Sequence, residues 1–137
     1  MTIKWDKSLE TGVELIDGQH REFISRLNAV SDAMMQGRGA GEISDTVRFL
    51  EEYVKTHFEA EESLMVKCVY PGFFEHREMH GHFKEMTEKI RQAVSEKDFK
   101  SGSAVGIHKA MSGWIVKHIK SEDFKIGKFL REKGGGK

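Results

Sequence analysis

Apolar residues recur along this chain at steps of three and four in four stretches, and each stretch places histidine or carboxylate residues on its apolar stripe. The first, about 18–37, follows Asp17 as its N-cap and aligns His20, Phe23, Leu27, Val30 and Met34. The second, about 42–65, runs Ile43, Val47, Leu50, Val54, His57, Glu61 and Leu64. The third, about 72–96, opens after Tyr70-Pro71, where proline suits a first helical turn, and runs Phe73, His76, His80, Phe83, Thr87, Ile90 and Val94. The fourth, about 101–131, starts its stripe with Met111, Ile115 and His118 and resumes it at Asp123, Ile126 and Leu130. Glycines at 37, 39, 41, 72 and 102 punctuate these stretches.

The fourth stripe slips by one residue. At about 100° per residue, a five-residue step leaves His118 and Asp123 about 140° apart on a regular α-helix. For both to face inward the helix needs one extra residue between them, a π-bulge. Ahead of the first stretch, residues 1–17 carry Trp5, Leu9, Val13, Leu15 and Ile16, too apolar for a loose tail. The pattern predicts an all-α, up-down-up-down four-helix bundle with this N-terminal arm packed on it.

Seven polar residues thus occupy core positions: His20, His57, Glu61, His76, His80, His118 and Asp123. Burying an unpaired carboxylate or imidazolium costs several kcal/mol, so the set needs compensation. One buried histidine is usually satisfied by a backbone carbonyl or a carboxylate. Five together would leave many ring nitrogens unpaired, whereas metal ions use those lone pairs and neutralise both carboxylates. Without an inward cysteine constellation a closed thiolate zinc site is excluded; imidazole with carboxylate suits iron, with zinc or manganese as alternatives. Two octahedral ions offer twelve positions. Five imidazoles, two bridging carboxylates and a single oxo or hydroxo bridge fill all but one of them. The expected site is therefore dinuclear, with a single vacancy sized for a diatomic ligand.

Bulk properties add mainly exclusions. The 137 residues fit one domain, and 22 basic side chains balance 22 acidic ones, which disfavours electrostatic binding to nucleic acid or an anionic membrane. No apolar run approaches the roughly 20 residues that span a bilayer. The lone Cys68 and a start without a signal-peptide core lead us to expect a cytoplasmic protein.

The chain resembles the hemerythrin family, and within it the bacterial hemerythrins and the hemerythrin-like domains of chemotaxis receptors. The likeness rests on Trp5 and Thr11-Gly12, Ile16-Asp17 with Gln19-His20, and His57-Phe58 with Glu61-Glu62. It continues through Tyr70-Pro71, His76-x3-His80 and Trp114-x3-His118-Ile119-x3-Asp123. The resemblance implies a non-haem di-iron centre that binds dioxygen reversibly. It implies His76, His80 and His118 as terminal ligands of one iron, His20 and His57 as those of the iron that keeps the open position, and Glu61 and Asp123 as bridges. Ile115, Ile119 and Trp114, with Phe58 or Phe23, would wall the dioxygen pocket and exclude water and protons.

Other residues are expected to be structural. Glu59 and Glu62 lie about 200° and 100° from Glu61 around the helix and read as solvated charges. His82 reads as surface, His108 matches no ligand position, Cys68 reads as a small loop residue, and the methionines read as packing. No acid or base beyond the ligands suggests a dedicated enzyme. The expected use is oxygen sensing, through a signalling module, or oxygen carriage and storage; the alternative is a di-iron oxidase, peroxidase or nitric-oxide-handling protein. Five histidines against two carboxylates disfavour that alternative.

Overall fold

The computed structural model describes residues 3–96 and 104–133. A 3-10 turn, Lys7–Leu9, precedes α1 (Glu14–Met35), α2 (Ala40–Lys67), α3 (Phe73–Ser95), α4 (Ala104–His118) and α5 (Phe124–Lys133). Between α4 and α5, residues Ile119–Asp123 form one π-helical turn. The flanking His118 and Phe124 keep right-handed helical angles, so α4, the π turn and α5 make one rod, the fourth helix of the bundle. The extra residue expected between His118 and Asp123 is there. Each helix packs on its sequence neighbours, and α4 closes the ring against α1. The described residues contain no strand.

The stripes bury as their spacing requires. Phe23, Leu27 and Val30 from α1 meet Leu50 from α2, Phe83 and Ile90 from α3 and Met111 from α4, all fully buried. A smaller apolar cluster of Ile16, Met65 and Ile126 forms separately. In the register of α1, α2 and the fourth rod, His20, His57, Glu61, His118 and Asp123 lie between these clusters, so those helices are apolar at both sides of one polar layer. α1 ends where Gly37 takes φ 66° and the Arg38 N–H reaches back 3.1 Å to the Ala33 carbonyl, a left-handed termination that glycine allows at low cost.

The start of α1 differs from expectation. It begins at Glu14, not about 18, and Asp17 is not its cap: the Asp17 N–H already bonds the Val13 carbonyl at 2.9 Å. The buried Asp17 carboxylate instead accepts from the Thr11 N–H at 2.7 Å, the Thr11 hydroxyl at 2.8 Å and the Gly12 N–H at 3.3 Å. A side chain read as ending the arm therefore ties the arm down. On the far side, Gly127 lets Thr11 approach α5 so closely that a Cβ would sit 2.5 Å from the Thr11 carbonyl oxygen. The arm does pack on the bundle through Leu9 and Trp5, but Leu15, 63% exposed, faces away from it. The remaining boundaries shift by one or two residues, while the expected start of the fourth helix at 101 and Gly102 lie outside the described residues.

Candidate metal centre

All seven inward polar residues are buried, and four separate helical segments bring them together. Spacings of four residues stack His57 over Glu61 on α2 and His76 over His80 on α3. The π turn rotates Asp123 back to the face that His118 occupies, and α1 supplies His20. Ligand atoms of Glu61, His76, His80, His118 and Asp123 lie within 4.8 Å of one another; those of His20, His57 and Glu61 form a second such group.

The two carboxylates join the groups. Glu61 directs Oε1 to His76 Nε2 and His80 Nε2, both at 2.9 Å, and Oε2 toward His20 and His57, at 3.7 and 3.6 Å. Asp123 places Oδ1 at 3.0 Å from His76 Nε2 and 3.2 Å from His118 Nε2, and Oδ2 at 2.9 Å from His20 Nε2. Each carboxylate thus gives one oxygen to the three-histidine group and the other to the two-histidine group, the arrangement of a bridging ligand. The Nε2 atoms of His76 and His118 face each other at 3.1 Å. Two ring nitrogens so placed need either a shared proton or a shared cation.

Several buried atoms have neither. His20 Nδ1 and Nε2, His57 Nε2, Glu61 Oε2 and Asp123 Oδ1 make no hydrogen bond; the close His20–Asp123 approach lacks the alignment one requires. Orphaned donors and acceptors at this density are costly, and metal ions would satisfy them together. The residues present therefore fit a dinuclear centre.

The carboxylates and burial set the charge states of the cluster's side chains. Burial would lower His20 and His76, but the adjoining Asp123 and Glu61 carboxylates outweigh it and raise both to about 9. Burial dominates at His57, which falls to about 4. Burial and mutual repulsion oppose ionisation of Glu61, yet the adjoining imidazoles of His20, His76 and His80 hold it below the usual carboxylate range. Asp123 is likewise held low against its burial by His118, His20 and His76. Two imidazolium protons thus balance two carboxylates, and a cation that binds must displace them.

A second layer orients the rings. Glu62, on α2, reaches His80 Nδ1 at 2.8 Å, and Gln19 Oε1 lies 2.8 Å from His57 Nδ1. Glu62 is therefore not the solvated charge its helical angle suggested; only 20% of its side chain is exposed. The angle gives the direction in which Glu62 leaves α2, whereas three side-chain torsions carry its carboxylate across to α3. Glu59 and His82 are exposed, as expected, and His108 is buried with Nε2 2.8 Å from the Leu27 carbonyl, away from the cluster. Cys68 is half-buried and free.

Aromatic rings surround both groups, and Phe58 touches each of them. Phe23 and Phe58 flank His57, at centroid distances of 5.6 and 5.7 Å, and Phe58 also stacks on His80 at 3.8 Å. Ile115 and Ile119 are fully buried in the same apolar cluster. Trp114 lies instead against the three-histidine group, stacked on His118 at 4.4 Å and only half-buried.

A family model for the hemerythrin HHE cation-binding domain matches residues 11–130. The chain belongs to the hemerythrin family. Among its relatives, a bacteriohemerythrin of Pseudomonas paraeruginosa is 30% identical over 121 residues, covering 87% of this chain and 75% of the relative. The hemerythrin alpha subunit of Lingula anatina is 31% identical, covering 88% and 89%, and a myohemerythrin of Theromyzon tessulatum is 27% identical, covering 89% and 88%. In fold, a crystal structure of a hemerythrin mutant matches with a TM-score of 0.81 at 24% identity, over 93% of this chain and 96% of that one. Hemerythrin domains are built around a di-iron centre, and the cluster described above could hold metal ions. They bind oxygen with non-haem iron, and they are oxygen-binding proteins rather than enzymes. No helix among the described residues is long and apolar enough to cross a membrane.

Proposed function

We propose that this chain takes up and gives back dioxygen at a di-iron centre held by His20, His57, Glu61, His76, His80, His118 and Asp123. One observation carries the reading: two carboxylates are shared between two groups of histidines that differ by one member. His76, His80 and His118 would complete the coordination of one ion, while His20 and His57 leave the other a position short. When bound, the two iron ions supply the electrons that hold dioxygen and recover them on its release.

The protein's own residues govern the rest. A proton on Nδ1 of His80 and of His57, facing Glu62 and Gln19, leaves each Nε2 lone pair for an ion. Phe23 and Phe58 beside His57, with Ile115 and Ile119, keep water and protons from the two-histidine side. Glu62 and Gln19 are both committed to ring nitrogens, so neither is a spare proton donor of the kind an oxidase would use. Carriage or storage needs only this equilibrium; sensing also needs a surface that reports it.

An absorption spectrum of the reduced, iron-loaded protein, taken before air, after air and after deoxygenation, tests the reading. A visible band that appears with air and disappears on deoxygenation supports it. Irreversible conversion to the ferric spectrum with release of hydrogen peroxide would favour an oxidase.

A further inference from the structure

Charge is segregated across this neutral chain. From 104 to 121 there is no Asp or Glu, while α2, diagonally opposite in the bundle, carries seven carboxylates against three cations. On α4 and the π turn, Lys109, Gly113, Val116, Lys117 and Lys120 share one outward face at steps of three and four. With Ile3 of the arm they line an open groove of about 730 Å³. Ile3, Gly113 and Val116 give its lining an apolar part, and Lys109, Lys117 and Lys120 give it a cationic one. Lys109 and Lys117 form no ion pair among the described residues, and Lys120 feels only the distant attraction of Asp6. At Gly113 an added Cβ would meet nothing within 4 Å, so this part of the groove is open.

We propose that this groove is a docking surface for an acidic amphipathic segment of a partner protein, which seats apolar side chains between Ile3 and Val116 and carboxylates against Lys109, Lys117 and Lys120. An apolar lining beside three cations matches such a segment by both shape and sign. Nucleic acid fits it less well, because the face has no long basic stripe and no stacking aromatic in its lining. The position gives the contact a use. Lys117 precedes His118 and also borders the neighbouring cleft of about 260 Å³, where Trp114 and His118 are lining residues. A partner seated there grips the helix that holds two of the candidate ligands. The docking itself does not depend on the oxygen reading.

The test uses the intact chain and a fluorescein-labelled synthetic helix with Glu on one face and Leu on the other. Fluorescence anisotropy should show saturable binding that weakens by about tenfold or more between roughly 0.01 and 1 M salt, as exposed charges are screened. The triple variant Lys109→Glu, Lys117→Glu, Lys120→Glu should weaken it by about tenfold or more. Gly113→Leu fills the groove at unchanged charge and should also weaken it, with far-ultraviolet circular dichroism unaltered. Reversing Lys55, Lys84 and Lys89 on α2 and α3 should leave it intact. The proposal is overturned if those reversals weaken binding equally, if Gly113→Leu has no effect, or if sedimentation shows that a second copy of this chain already fills the groove. Failure of oxygen uptake with intact peptide binding would count against the oxygen reading alone.

Discussion

The two histidine groups share the same carboxylates, yet they are held differently. In the three-histidine group each Nε2 lies within about 3 Å of a carboxylate oxygen; Glu62 fixes His80 from behind, and aromatic rings cover His80 and His118. In the two-histidine group His20 has no hydrogen-bond partner at either nitrogen, and His57 has one only at Nδ1, from a neutral amide. The rings of the first group thus have more hydrogen-bond partners in the protein than those of the second, although both groups touch a carboxylate and the Asp123 oxygen facing the first makes no hydrogen bond. Phe23 and Phe58 lie against His57 on that second side, the one proposed to keep the open position.

The largest effect should come from removing what the groups share. Glu61→Ala takes one bridge from both, and we expect it to lose most of the iron, measured by metal analysis after loading; a fully loaded variant would contradict the bridging role. The next pair of variants separates the sides. Glu62→Ala should weaken metal binding by about 10–100-fold through loss of the oriented His80. Gln19→Ala, which removes only a neutral acceptor from His57, should weaken it less. Equal losses measured by chelator competition would mean that the groups are not held differently.

The seven-residue set and the π turn were legible because burying charge at helical spacing leaves a plain signature. The five-residue step from His118 to Asp123 cannot face inward on a regular helix, and Ile119–Asp123 has the extra residue. The supporting contacts were less legible. Asp17 looked like a cap because it precedes an apolar stripe, yet its carboxylate is engaged by Thr11 and Gly12, a tertiary contact that periodicity does not encode. Glu62 was misread because helical angle says nothing about how far a long side chain reaches. Gln19 stood next to His20 in sequence but serves His57 on another helix.

Proton linkage sharpens the comparison further. His20 and His76, one from each group, are raised to about 9 from an ordinary 6.5. In the metal-free chain their stabilisation is complete below pH 6.5 and is lost as the pH rises toward 9. His57 has the opposite sign: its depression to about 4 contributes stability that is lost as pH falls from 6.5 toward 4. Metal-free melting temperatures should therefore fall on the alkaline side, and metal loading near pH 7.5 should release about two protons per chain, read with a pH indicator. Loading without proton release would contradict the balance of two imidazoliums against two carboxylates.

The smallest effect should come from the wall. Ile119→Thr keeps a β-branched shape but places a hydroxyl in a fully buried position. Iron content should be unchanged and conversion of the oxygenated protein to the ferric form faster, followed by absorbance; an unaltered rate would remove Ile119 from the pocket.

Reversible uptake at the proposed centre requires one open position for each pair of irons. Oxygen uptake by the fully reduced protein, titrated against its iron content with an oxygen electrode and then reversed under argon, measures that directly. The expected uptake is about one dioxygen per two irons, recovered on deoxygenation. Uptake of one dioxygen per iron, or uptake that argon does not reverse, would contradict it.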